Sequence, residues 1–394
     1  LLIYARRPVE EYVVRPNKTV PGSLEEGVDV RLKRTACIAA IAAMATTGLA
    51  ACGNGNDSGS KGGGSTGAAK AKGKIGIILP DTKSSVRWES FDRPLLTAAF
   101  KSAGIPADIQ NAEGDKQRMQ TIADQMITSG VTMLAIVNLD SNSGAAIESK
   151  AKQQGVQTID YDRLTLGGSA DYYVSFDGVQ VGRTQGEGLQ KCLGDKAANI
   201  VYLNGSPTDN NATLFKQGAH EVLDKVTSYK KVAEQSVPDW DNQKAATIFE
   251  QMYTQQNGKI DGVLAANDGL GNAAVSILKK NNAAGKVPVT GQDATPQGLQ
   301  NVLDGTQCMT VYKPIKEEAD GLVQVVTALA KGQKPQTNGT SSDPQAHRNV
   351  PSILLKPIGI YKDNVKQVVT DGFVKAGEIC TGSYASKCKA AGIQ

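Results

Sequence analysis

The chain has 394 residues, with 43 Lys and Arg against 39 Asp and Glu and a formal charge of +4. That near balance predicts no nucleic-acid partner. Two histidines, with no H-E-x-x-H and no C-x-x-C, leave little for a metalloenzyme or a Ser/His hydrolase to work with, so no metal or cofactor is expected.

Residues 1–51 read as an export segment. Arg31-Leu32-Lys33-Arg34 precedes an Ala/Ile/Met-rich apolar run that closes on Leu49-Ala50-Ala51-Cys52. A basic start, a short apolar stretch and small residues before a cut are the layout of a secretory signal. The L-A-A-C box resembles that of bacterial lipoproteins, which makes Cys52 the lipidated first residue of the mature protein and anchors it to the membrane from outside the cytoplasm. The apolar run is too short for the ~20 residues of a membrane span. Upstream of Arg31 the sequence begins with Leu1 and carries no pattern, which points to a true start near Val28 or Val30. Residues 52–73 are almost wholly small and polar and predict a flexible tether.

From Lys74 onward, strand-like runs alternate with amphipathic stretches. Lys74 to Leu79, Met133 to Val137, Asn199 to Leu203, Gly262 to Ala265 and Val287 to Thr290 read as buried parallel strands. Asp115 to Ser129, Asn142 to Gln154, Asp209 to Lys225 and Asn242 to Gln255 read as helices, each opening on an Asp or Asn. The pattern predicts an α/β chain of βαβ units in two Rossmann-like lobes. Ligands of open α/β sheets bind at the strand carboxyl ends. Asp162-Arg163, Asn267-Asp268 and Gln292-Asp293 stand at such ends and would converge on one cleft.

Four cysteines remain in the mature chain beside Cys52. In an oxidising compartment Cys380 and Cys388 could close a short loop and leave Cys192 with Cys308, one of three possible pairings. Rival chemistries find little support. Gly269 to Ala274 is a partial nucleotide fingerprint without its following acidic residue, Gly62 to Ser65 lacks the rest of a phosphate loop, and Asp140 to Gly144 fails the spacing of a calcium loop and reads as a helix cap. Nothing marks one cleft carboxylate as the acid of a glycosidase pair.

Several blocks together carry a family resemblance: Arg87-Trp88 in "VRWESFDR", Tyr161-Asp162-Arg163, "YVSFDG" from Tyr173, "GSPTDNNATLF" from Gly205, Trp240 in "PDWD", Asn267-Asp268, "GQDAT" from Gly291 and "GTQCMTVYKP" from Gly305. In these the chain resembles the periplasmic sugar-binding proteins of ABC importers, in their pentose-binding branch. The resemblance implies a type I periplasmic-binding fold whose lobes, at 74–176 plus 313–350 and at 177–312 plus 351–394, are joined by a three-strand hinge with crossings at Phe176-Asp177, at Lys313-Pro314 and near Val350-Pro351. It also implies a non-enzymatic role, a monosaccharide ligand with D-xylose foremost, and docking of the loaded form on an ABC permease. It implies that Arg87, Arg163, Asn211, Asn267, Asp293 and Lys313 hold the sugar's oxygens, that Trp88 and Trp240 flank its ring, and that Asp162 and either Asp209 or Asn210 contribute. Asn138-Leu139-Asp140 departs from the family's pattern, and the segment from Glu378 to Gln394 has no clear counterpart there. A sensor that presents the loaded state to a membrane receptor, or a binder of another pentose or of glucose, is compatible with the same residues.

The chemistry agrees with that implication. A sugar offers hydroxyls that both donate and accept, and weakly apolar C–H faces. Carboxylates such as Asp293 accept its hydroxyl protons, while Arg87 and Arg163 donate in forks, in charge-assisted bonds roughly twice as strong as neutral ones. The chain's two tryptophans lie in polar contexts, which favours a place against a ligand over core packing.

Overall fold

A computed structural model describes residues 73–393. The export segment, Cys52 and the tether lie outside the described residues. Short apolar runs form the first sheet: β1 (Ile75–Leu79), β2 (Ala107–Asn111), β3 (Met133–Ile136), β4 (Gln157–Tyr161) and β5 (Tyr172–Phe176), with α1 (Arg93–Ala103), α2 (Lys116–Thr128) and α3 (Ser141–Gln153) between them. β1 shows why the sheet needs cover on both sides. Ile75, Ile77 and Leu79 pack with Leu96, Phe100 and Val326, whereas Ile78 turns the other way onto Met119, Ile122 and Met126. Successive strand side chains point to opposite faces, so an unbroken apolar run is stable only when helices cover both.

The chain then builds a second sheet: α4 (Gly178–Leu193), β6 (Ala198–Asn204), α5 (Asn210–Leu223), β7 (Tyr229–Ser236), α6 (Asn242–Gln255), β8 (Gly262–Ala265), α7 (Asp268–Lys280), α8 (Pro296–Asp304) and β9 (Thr310–Tyr312). The strand order β7-β6-β8 is parallel, and parallel bridges Val263–Val289 and Gln292–Val311 extend it towards β9. Val287 to Thr290 thus contributes a bridge and no full strand. α4 and α5 cross almost backbone to backbone at Gly182 and Gly218. A Cβ on Gly182 would overlap the Phe215 carbonyl, and one on Gly218 the Val179 carbonyl.

After β9 the chain returns to the first lobe through Lys313-Pro314 and forms α9 (Ile315–Ala330), β10 (Gly339–Asp343) and β11 (Arg348–Leu355). It then reaches the second sheet again with β12 (Ile358–Ile360) and ends in α10 (Lys366–Thr370), α11 (Ala376–Ile379) and α12 (Tyr384–Ala390). The first sheet has the order β10-β11-β5-β4-β3-β1-β2, parallel except for β10 against β11. β12 runs antiparallel to β9.

The boundary read at Val350-Pro351 therefore moves. β11 stays in the first sheet through Leu355, paired with Phe176, and the chain changes sheets at Lys356-Pro357. Pro351 precedes the stretch from Ser352 that pairs with β5, so its missing N–H breaks no bond there and it does not end the strand. Two helix caps also shift, one by two residues and the other by one. Asp140 caps α3 by accepting from Ser143 N, where Asn142 was expected, and Asp241 caps α6 in place of Asn242.

Cys192 is bonded to Cys308, and Cys380 to Cys388. The first ties α4 to the segment before β9, and the second staples the C-terminal turn. That turn packs on α8, where Gln300 Nε2 donates to the Ile379 carbonyl at 3.0 Å and Ile379 and Cys388 join the second lobe's core. Among the described residues no helix is long and apolar enough to cross a membrane.

Candidate functional site

The strand carboxyl ends of both sheets open onto one small, tightly lined cavity. From the first lobe it is lined by Ser84, Ser85, Arg87, Trp88, Asp162 and Arg163. Asp209, Asn211, Phe215, Trp240, Asn267, Gln292 and Asp293 come from the second, and Lys313 comes from a crossing segment. Ten of the eleven residues expected to touch a ligand are thus brought together. Asn210 is not: it opens α5 half-buried, and the helix turns it about 100° away from Asn211, which faces the cavity.

The cations are held very differently from one another. Arg87 is fully enclosed. Its Nε and Nη2 bind Asp92 at 2.8 Å each, Nη1 binds Asp162 Oδ2 at 2.6 Å, and Nη2 also reaches Glu318 Oε2 at 2.8 Å. Four of its N–H directions are therefore taken by protein carboxylates, leaving at most one for a ligand. Arg163 is freer. Its Nη1 donates to the Asn138 carbonyl at 3.1 Å, while Nε lies 3.0 Å from Asp209 Oδ2 off the N–H direction and forms no hydrogen bond. Lys313 sits between Asp162 at 3.6 Å and Asp293 at 3.4 Å, ion-pair distances that leave its protons available.

Asp162 anchors the floor. Its φ of 61° is left-handed, its carbonyl accepts from Tyr173, Ser175 and Asn211, and its Oδ1 accepts from Asn211 Nδ2 at 3.2 Å. Burial would raise its pKa, but Arg87, Lys313 and Arg163 outweigh that and bring it down to about 2. Burial pushes the Asp92 and Glu318 carboxyls of the same cluster up. Asp293, also at positive φ, accepts from Ser85 Oγ at 2.9 Å across the cleft on Oδ2, while its buried Oδ1 forms no hydrogen bond and faces only the Lys313 ammonium, at 3.4 Å. Asn267 caps α7 through Oδ1, with Nδ2 3.3 Å from the Ser84 carbonyl of the other lobe.

The tryptophans are both core residues and walls. Trp88 joins the first lobe's apolar cluster, bonds Ser84 Oγ through Nε1 at 3.1 Å, and is overlain by the Arg87 and Arg163 guanidinium groups at 4.4 and 5.4 Å from its centroid. Trp240 lies on the backbone of Gly205, where a Cβ would overlap the indole, and donates to Asp209 Oδ2 at 3.0 Å. Asp209 also caps α5 through Asn211 N, so one carboxylate fixes a helix, an indole and the approach of Arg163. The contrast drawn from sequence between core packing and a place in the cavity does not hold, because each tryptophan belongs to an apolar core cluster and also lines the cavity.

Three lining residues escaped the sequence reading, Ser84, Ser85 and Phe215, while Gln292 was placed at the cleft but given no role. Ser84 and Ser85 lie in the loop after β1, which ends at Leu79, too far from the strand end for the rule that finds Asp162-Arg163 directly after β4. Asn138, in the loop that departs from the family's pattern, supports Arg163 by accepting at its carbonyl and donating to the Arg163 carbonyl.

Residues 75–334 match the periplasmic binding protein domain family. The chain belongs to that family. It is 35% identical over 310 residues to the D-xylose-binding periplasmic protein of Escherichia coli, an alignment covering 78% of this chain and 92% of that protein. With the D-xylose-binding periplasmic protein of Haemophilus influenzae it shares 33% over 304 residues, covering 76% and 90%. An ABC transporter solute binding protein from Clostridium phytofermentans, solved with bound beta-D-glucose, superposes with a TM-score of 0.72 at 27% identity, over 78% of this chain and 99% of that one. This periplasmic binding protein is accordingly a sugar-binding component of the ABC-transporter kind, with the parallel α/β sheets of its relatives. Such proteins bind solutes and do not transform them.

Proposed function

We propose that the chain takes up a single D-xylose molecule in the cavity between its lobes and delivers it to an ABC import permease by hinge closure about the segments at Asp177, Lys313-Pro314 and Lys356-Pro357. The observation that carries this reading is a pair of buried charged groups that form no hydrogen bond, Arg163 Nε and Asp293 Oδ1, lining one cavity together with Trp88 and Trp240. A donor and an acceptor left unmade inside a protein cost free energy unless a ligand completes them. A sugar's ring oxygen and hydroxyls do so, and the indole surfaces match its C–H faces. Because both lobes contribute contacts, the sugar favours the closed arrangement over the open one, the differential affinity that ligand-driven closure requires.

The identities to D-xylose-binding proteins support the pentose. Glucose is the nearest rival, since the Clostridium phytofermentans protein holds it on the same fold. Calorimetry with a panel of pentoses and hexoses decides: D-xylose is expected to bind most tightly, and Asp293→Ala to abolish binding. Glucose binding tighter than xylose, or unchanged affinity in the variant, would defeat the proposal. The L-A-A-C box supports attachment to the outer face of the cell membrane through lipid on Cys52. Cys52→Ser should release the protein into the soluble fraction, and a variant still wholly in the membrane fraction would refute the anchor.

A further inference from the structure

We infer that Gln292 is a direct ligand of the sugar and reads one particular hydroxyl as a hydrogen-bond donor. This rests on the sugar-binding reading above and goes beyond the residues it uses. Gln292 lies in the segment that bridges Val311 of β9, and its own carbonyl accepts from Asp268 N at 2.9 Å, so its backbone is fixed between β9 and the start of α7. The side chain is 3% exposed and lines the cavity. Nε2 donates to the Ala266 carbonyl, at the end of β8, at 3.3 Å, and this sets the rotation of the amide. Oε1 is buried and has no partner.

An amide oxygen buried without a donor is costly, and such groups call for an explanation. The backbone donors that follow it are committed elsewhere: Asp293 N to the Val311 carbonyl and Ala294 N to Thr310 Oγ1. The next residue, Asp293, has the other lining acceptor that forms no hydrogen bond, Oδ1, approached only by the Lys313 ammonium at 3.4 Å. Two consecutive residues thus present two empty acceptors and no empty donor from the same short segment. A ligand that satisfies both must offer two O–H donors to that wall, as neighbouring hydroxyls of an aldopyranose do. A ligand with an ether, a fluorine or a carboxylate in either place would leave an acceptor facing an acceptor. Sites built around a buried hydrogen bond to a hydroxyl reject analogues that lack it far more strongly than apolar pockets reject a missing methylene. Gln292 is therefore a specificity residue, and its neutral acceptor complements the charged one beside it.

The test pairs the side chain with the hydroxyl it reads. D-xylose and its 2-, 3- and 4-deoxy analogues are titrated calorimetrically against the wild type, Gln292→Met, which keeps the length but loses the amide, and Gln292→Asn, which withdraws the oxygen by one methylene. Both variants are expected to bind D-xylose at least about tenfold more weakly, the loss of one hydrogen bond. For one deoxy sugar, the one lacking the hydroxyl in question, the substitutions should cause no further loss, while the other two lose affinity as xylose does. Unchanged xylose affinity in both variants overturns the inference, and so does an equal loss for all four sugars, which would mean that Gln292 only supports Asp293. A wild type that binds no sugar of the panel would instead defeat the sugar-binding reading itself, and this inference with it.

Discussion

Arg163 and Asp209 meet across the cleft, Nε 3.0 Å from Oδ2, with both side chains almost wholly buried. One comes from the end of β4 and the other from the start of α5, so the pair joins the two lobes at the cavity wall. Asp209→Asn keeps one acceptor, enough for the α5 cap on Oδ1, but sets an NH2 in place of the Oδ2 that accepts from the Trp240 indole and removes the charge that holds Arg163. Sugar affinity is expected to fall roughly 10- to 100-fold, the range for hydrogen bonds to charged groups, with little change in helix content. Titration of the variant checks this, and wild-type affinity would mean that the pair plays no part in binding.

Gly205 bears on the site through Trp240. With no side chain it lets the indole lie on the backbone after β6, and Gly205→Ala must push the ring away. Because Trp240 also packs near Phe215 and in the second lobe's core, the substitution should destabilise the fold by about 1–3 kcal/mol, as overpacking does. It should also weaken sugar binding. Thermal melts with and without sugar measure the two effects, and a variant that melts and binds as the wild type does would show that the indole can move freely.

Acid should weaken the fold through Asp162. Its carboxyl titrates at about 2 in the folded chain, against about 3.9 when unfolded. A lowered folded pKa contributes stability that is complete above about pH 4 and is lost as pH falls towards 2, here about 2 kcal/mol. Urea midpoints collected between pH 5 and pH 2 should therefore decline more steeply for the wild type than for Asp162→Asn. Parallel declines would place the acid sensitivity elsewhere, Glu234 being the other carboxyl brought down to about 2.

Much of the fold is legible because burial leaves a mark in the sequence. β1, β3, β6 and β8 are apolar on both faces and sit within a residue or two of where their runs place them. β10 is Gly-Thr-Ser-Ser-Asp at a sheet edge, with every second residue at least partly open to water, and such a strand looks like a loop. Pro351 looks like a break and is not one, because which of its neighbours needs an N–H depends on pairing with β5, a partner far away in sequence. The cavity follows the same logic. Arg163, Asn267 and Asp293 stand at strand ends, where local pattern suffices to find them. That Arg87 is tied up by Asp92, Asp162 and Glu318 depends on α9 coming back from the other lobe, and no local pattern reveals it.

The path of the chain sets a condition on how it can be assembled. β11, drawn from residues 348–355, lies between β10 and β5 in the first sheet, so a nascent chain that has emerged only as far as α9 leaves β5 with an open edge. Neither half can be excised as a contiguous fragment. A truncation that removes residues 348–355 would consequently harm the lobe that holds β1 to β5, far away in sequence.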